Sequence, residues 1–216
     1  MKTPGTVAPD ELDFAGLIRA GDTIGWAQAT AEPVFLTRLL NEQAPRCPPF
    51  RLFFALTFAG DFAADHPNVT VTALGGGGAG RRFFAGNSGN VIPANISDLC
   101  ELIAGGHPRI DVVLLQVSGP DAAGNYNAGI GIECLREMIA GARLVIAQLN
   151  PALPWTEGDT MTAGGLIDIV VPATHPVLEL PGRRSARSSA RSPSMSRAWC
   201  PTARRSSSAS AAARRR

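Results

Sequence analysis

Ile110-Asp111-Val112-Val113-Leu114-Leu115-Gln116-Val117 is apolar at six of its eight positions, and Ser118-Gly119-Pro120 stops it. The run does not alternate, so both faces of the strand it forms must be covered. That is the pattern of a parallel sheet held between helices, not of an antiparallel sheet with one wet face. Working outward, Leu144–Leu149 (LVIAQL) and Leu166–Val171 (LIDIVV) repeat it on the carboxyl side. Asp22–Trp26 (DTIGW), Arg51–Phe58 (RLFFALTF) and Asn68–Leu74 (NVTVTAL) repeat it on the amino side.

Helical stretches separate these strands. Asp10 reads as the N-cap of a first helix with Phe14, Leu17 and Ile18 as its apolar stripe, ending at Gly21. Thr30 reads as the cap of a second, from Ala31 through Gln43, with Pro33 in its first turn. Two more run from Ser97 to Ala104, closed by Gly105-Gly106, and from Glu133 to Gly141. No repeat is present. The expected class is α/β, a mostly parallel sheet flanked by helices.

The 216 residues are 45% hydrophobic and 18% charged, enough for one ordinary core. No apolar run approaches the roughly 20 residues of a membrane-spanning helix, so no membrane is expected. The N-terminal MKTPGTVAPD has no apolar region of secretory type. Cys47, Cys100, Cys134 and Cys200 lie far apart with no CxxC pair, which argues against a disulfide scaffold or a zinc module. Together these features point to a cytoplasmic location.

The net charge of +2 hides two different segments. Residues 1–181 hold all 18 acids against 10 bases, whereas residues 182–216 hold 10 arginines and no acid. Arg, Ser and Ala fill 28 of those 35 positions, a composition expected to be disordered. Two readings compete for it. A genuine basic tail would bind nucleic acid through counterion release. Alternatively it is the product of a shifted reading frame, since the body, with Lys2 as its only lysine, has the bias of a GC-rich gene.

The run Gly75–Gly80 contains GxGxxG after a strand, but RRFFAGNSGN then carries too much Gly, Asn and Ser for the helix a dinucleotide site needs. Gly76, Gly77 and Gly78 are instead candidates for a loop approaching a ligand, with a purely structural loop as the alternative. His66, His107 and His175 each precede a proline and read as loop residues without metal-ligand spacing. Cys134 opens a helix and reads as a small buried hydrophobe. Ligands of open parallel sheets bind beyond the carboxyl ends of the strands. That rule singles out Gln28, Thr30 and Glu32 after DTIGW, and Asp159 after LVIAQL. Gln116, Ser118, Asp121 and Asn150 stand at the same edge, where Ser118 could serve as a cap and Asp121 as a turn former.

Six blocks in order, GDTIGWAQATAEPVFLTRLL, VTALGGGG, VIPANISDL, IDVVLLQVSGPDAAGNYNAGIGIE, ARLVIAQLNPALPWTEGD and THPVLELP, resemble the N-terminal half of the acetyl-CoA hydrolase/transferase family. The nearest branch is 4-hydroxybutyrate CoA-transferase-like. The resemblance covers residues 10–181 and implies a NagB/RpiA/CoA-transferase-type α/β domain followed by the 182–216 tail. It implies acyl-CoA and a short carboxylate as substrates, with the coenzyme A thioester as substrate and no bound cofactor. It also implies a homo-oligomer in the intact family. The chemistry would run through a glutamate that attacks the thioester, forming a mixed anhydride and then a glutamyl thioester. That glutamate belongs to the second half, and none of Glu32, Glu133 or Glu157 takes its place. Asn127 and Glu157 also depart from the Ser and His common in relatives. The expectation is half an enzyme, missing its C-terminal partner half, nearly inactive alone and prone to self-association. A non-catalytic binding or regulatory module is the alternative.

Overall fold

Eight strands line up in the order β1-β10-β8-β6-β2-β3-β4-β5, every neighbouring pair parallel, in the computed structural model of the chain. They are β1 (Gly5–Thr6), β2 (Thr23–Trp26), β3 (Phe50–Phe54), β4 (Val69–Ala73), β5 (Gly89–Val91), β6 (Val112–Val117), β8 (Leu144–Leu149) and β10 (Ile169–Pro172). A separate antiparallel pair joins β7 (Asn125–Asn127) to β9 (Met161–Ala163). Residues 1–180 form one compact unit. The structure describes residues 3–63, 65–75, 80–85, 89–158 and 161–179. The 182–216 segment therefore lies outside the described residues, as do Gly76, Gly77, Gly78 and Asp159.

The order fixes where the chain turns back. From β2 it proceeds to β3, β4 and β5, then returns to the other side of β2 as β6 and continues through β8 to β10. The switch point lies between β2 and β6, the place where doubly wound sheets open a crevice at their carboxyl edge.

The central strands are buried on both faces, as their unbroken apolar runs require. Ile24, Trp26, Val112 and Leu114 join one apolar cluster with Phe14, Leu36 and Leu40 from helices α1 (Phe14–Leu17) and α2 (Val34–Gln43). Trp26 and Phe54 stack there at 5.6 Å, and Phe83 continues the series 5.3 Å from Phe54. Val113, Leu115 and Val117 face a second cluster with Leu99 and Ile103 of α4 (Ile96–Ala104) and Leu135 and Met138 of α5 (Leu135–Gly141).

Aspartates close the amino edge. Asp111 Oδ2 accepts the Thr23 amide at 3.0 Å and Asp168 Oδ2 the Val145 amide at 2.8 Å. Asp22 accepts the Arg19 amide at 2.7 Å and pairs with the Arg143 guanidinium. Burial alone would raise the Asp22 pKa. The hydrogen bond and charge of Arg143, with the Arg19 amide, outweigh it and hold the carboxyl below its usual range.

Several local expectations are corrected. The first helix spans only Phe14–Leu17 and its N-cap is Asp13, not Asp10. Thr30 does not cap α2, whose N-cap is Pro33, because residues 28–31 turn before the helix begins. Strand β3 stops at Phe54, since residues 55–58 leave the sheet. RRFFA does form a short helix, α3 (Arg81–Ala85), because burial of Phe83 overrides the weak propensity of the stretch. Cys134 is buried, but it is bonded to Cys100 and does not serve merely as a small hydrophobe. Their 34-residue separation conceals that α4 and α5 lie side by side.

Candidate functional site at the carboxyl edge of the sheet

The loop after β2 crosses the switch point. Its backbone carbonyls at Thr30 and Glu32 both lie 3.4 Å from Nε2 of Gln116, a β6 residue. Ala29 takes the left-handed conformation, φ 55°, costly for a residue with a Cβ, so the crossing is held by its surroundings. Those surroundings include Gly131, where a Cβ would lie 2.4 Å from the Ala31 Cβ.

Gln28 and Glu32, two of the sequence candidates, are brought together on one task. Gln28 Oε1 accepts the amides of Ala55 at 2.7 Å and Leu56 at 2.6 Å. Glu32 Oε2 accepts the Thr57 hydroxyl at 2.7 Å and the amides of Phe58 at 3.0 Å and Ala59 at 3.1 Å. The segment that abandons β3 thus loses its sheet partners and receives side-chain oxygens in exchange, as buried backbone donors require. Arg82, just past the glycine run, continues the grip on the carbonyls of Gly60 and Phe62. Arg38 holds Asp61 at 2.7 Å and Asn41 Oδ1 accepts the Ala63 amide at 2.7 Å. Residues 55–63 are clamped almost one by one.

Glu32 is 2% exposed. Burial raises its pKa above the usual carboxylate range. The donations from Thr57, Ala59 and Phe58 pull it back only in part, and the charge of Asp61 pushes it up further. A carboxylate in this state, with one oxygen saturated by three donors, is a poor nucleophile for a thioester.

A second layer of amides ties the remaining loops to the edge. Asn150 donates to Gln116 Oε1 at 3.1 Å and to the His175 carbonyl at 2.8 Å. Gln148 accepts the Phe35 amide at 3.2 Å and donates to the Ala173 carbonyl at 3.0 Å. Asn127 donates to the Thr156 carbonyl at 2.8 Å. Two hydroxyls stay uncommitted beside this mesh. Thr30 is half-buried and makes no side-chain hydrogen bond among the described residues. Ser118 Oγ is buried and likewise has no hydrogen-bond partner among the described residues.

Arg82, which with Arg81 could from the sequence have met an anionic group beside the glycine loop, donates instead to backbone carbonyls. Thr57 and Gln148 were not singled out, and nothing in their local pattern marks them, because their partners lie 25 to 113 residues away. Asp121 is the turn former expected of it, accepting the amides of Ala123 and Asn125 at 2.9 and 2.8 Å. His66 bonds Asn41 and His175 contacts Arg38. Among the described residues no three His, Cys, Asp or Glu side chains converge as a metal site. No helix of the described residues is long and apolar enough to cross a membrane. A cavity of about 410 Å³ lies at the opposite, amino edge, lined by Gly21, Pro49, Phe50, Arg51, Pro67, Asn68 and Thr70. Its Arg51 is already donating to the Gly21 carbonyl, and it lacks the switch-point position that marks the carboxyl edge.

Residues 86–179 match the acetyl-CoA hydrolase/transferase N-terminal domain. Over that stretch the chain is similar to the family's N-terminal domain. Over 71 residues it is 41% identical to a 4-hydroxybutyrate coenzyme A transferase of Clostridium kluyveri, covering 33% of this chain and 17% of the relative. The fold is shared with RipA from Yersinia pestis, at a TM-score of 0.75 and 22% identity over 83% of this chain and 44% of that one. It is shared too with a 4-hydroxybutyrate CoA-transferase from Porphyromonas gingivalis, at 0.65 and 19% over 82% and 41%. The chain spans less than half the length of these relatives.

Proposed function

We propose that this chain supplies the N-terminal half of an acyl-CoA:carboxylate CoA-transferase or acetyl-CoA hydrolase acting on short-chain acyl-CoA in the cytoplasm, with residues 10–181 as the domain. The observation that carries the reading is the clamped polar edge at the switch point. It is built from Gln28, Glu32, Gln116 and Asn150, on a fold shared with a 4-hydroxybutyrate CoA-transferase of about twice the length. Thr30, half-buried with a free hydroxyl, is the substrate-facing member of the sequence candidates. Gln28 and Glu32 hold the 55–59 segment, and Gly76, Gly77, Gly78 and Asp159 are further substrate-binding candidates by their place in the sequence. The resemblance implies that the attacking carboxylate comes from a second half, and the commitment of Glu32 agrees with it. The composition of residues 182–216 supports a shifted frame over a nucleic-acid-binding tail.

The test is reconstitution. Residues 1–181 are co-expressed with the C-terminal half of the Clostridium kluyveri relative and assayed with acetyl-CoA and 4-hydroxybutyrate. Transfer by the pair and none by either half is expected. Turnover by residues 1–216 alone at a rate typical of enzymes, about 10 per second, would overturn the half-enzyme reading. A pair that associates yet neither transfers nor hydrolyses would overturn the catalytic one.

A further inference from the structure

Cys100 and Cys134 stand apart from the edge just described. One lies on α4 and the other at the N-cap of α5, with their Cα atoms 4.9 Å apart and their sulfurs bonded. Small domains that depend on disulfides lack an adequate core. This face does not lack one. Leu99, Ile103, Leu135, Met138 and Ile139 pack there with β6 and β8 into a continuous apolar cluster, so the bond is not needed as a staple.

The two sulfurs are also unequal. Cys100 is half-buried, on a helix whose outer turn leaves Ile96 50% exposed, whereas Cys134 is 2% exposed. One sulfur can meet a small reagent and the other only its neighbour. Cys47 has neither property. It is buried in the opposite cluster, donates to the Gln43 carbonyl, and burial pushes its thiol pKa up.

We propose that Cys100 and Cys134 form a reversible dithiol site that takes low-molecular-weight disulfides of the glutathione type and, when oxidised, ties α4 to α5. The Cys100 thiolate attacks one sulfur of the small disulfide. That S–S bond breaks, leaving a mixed disulfide on Cys100 and releasing one small thiolate. The Cys134 thiolate then attacks the Cys100 sulfur, forming the protein disulfide and expelling the second thiolate. Two electrons pass from the protein sulfurs to the reagent, and the two protons end on the released thiols. The tie reaches the polar edge, because Cys134 stands three residues after Gly131, whose backbone rests on Ala31.

The full 216-residue chain is equilibrated in mixtures running from wholly reduced to wholly oxidised glutathione. It is then quenched in acid, alkylated under denaturing conditions and mapped by peptide mass. The Cys100–Cys134 cross-linked peptide is expected at the oxidised end and lost at the reduced end, with Cys47 alkylated throughout. A pair that stays free in oxidised glutathione overturns the site. A pair that stays bonded in excess reduced glutathione overturns its reversibility. In Cys134→Ser, glutathione is expected to be trapped on Cys100, and its absence there would overturn the order of attack. Backbone amides of residues 96–104 are expected to exchange several-fold faster in the reduced chain. Equal exchange in both states would overturn the tie.

Discussion

Glu32 shows how a residue type that suggests catalysis can be used for architecture. Its carboxylate accepts three donors from a segment that has left the sheet, and its burial disfavours the charged form. The sign of its effect on stability follows. A carboxyl whose folded pKa is raised binds its proton more tightly in the native state, so stability falls as pH rises from the unfolded pKa through the folded one. Glu32→Gln keeps an acceptor oxygen and removes the titration. Urea unfolding between pH 4.5 and 8 is expected to show a flatter pH dependence in this variant than in the wild type. An unchanged slope would mean that Glu32 carries no part of it. Glu32→Ala leaves the Thr57 hydroxyl and two amides without an acceptor and is expected to cost about 2–4 kcal/mol at pH 7. Gln28 and Glu32 were legible as residues placed at the carboxyl edge. That they point into the 55–59 segment was not, since their partners lie 25 to 28 residues away.

Among the elements, the loop after β2 and the turn before α5 are the pair that must fit. Gly131 has no side chain where Ala31 has one, and a methyl there would lie 2.4 Å from the Ala31 Cβ. Neither atom is the end of a flexible chain, so the backbone must move. Gly131→Ala is expected to cost about 1–3 kcal/mol in denaturant unfolding. Adding Ala31→Gly should recover most of the loss, since it removes the opposing atom. No recovery would place the cost in the backbone of residue 131. The strands themselves were readable from their unbroken apolar runs, as were helices α2, α4 and α5 to within a few residues. The short strands β1, β5, β7 and β9 were not. Two or three residues such as Gly5–Thr6 or Asn125–Asn127 have no pattern of their own and become strands only through neighbours elsewhere in the chain.

For the molecule as a whole, the carboxyl side retains large apolar groups that this chain leaves uncovered. Ile130 and Trp155 are each 41% exposed, in the loops that follow β7 and β8. They flank the β7–β9 pair and the Asn127–Thr156 contact, beside the edge proposed to meet a second half. Uncovered apolar surface on a soluble domain finds partners. Residues 1–216 are expected to self-associate with rising concentration in light scattering. The double substitution Ile130→Ser and Trp155→Ser is expected to reduce it without lowering the unfolding midpoint. A wild-type monomer at high concentration would show that this surface is not adhesive.

What the amino-acid sequence determined by itself was the class of fold. Strands buried on both faces admit few arrangements, and continuous apolar runs separated by helices select the parallel sheet. The ordered blocks added a resemblance to one family, because six segments in one order carry far more information than any single spacing. What only the tertiary structure decided was which polar side chains meet. The pairing of Gln116 with Asn150, the grip of Glu32 on Thr57–Ala59 and the bond between Cys100 and Cys134 all join residues distant in the chain. Hydrogen bonds and thiol pairs depend on distances of a few ångströms. Local sequence sets the torsions of each element, but only the packing of elements across the sheet brings such groups that close.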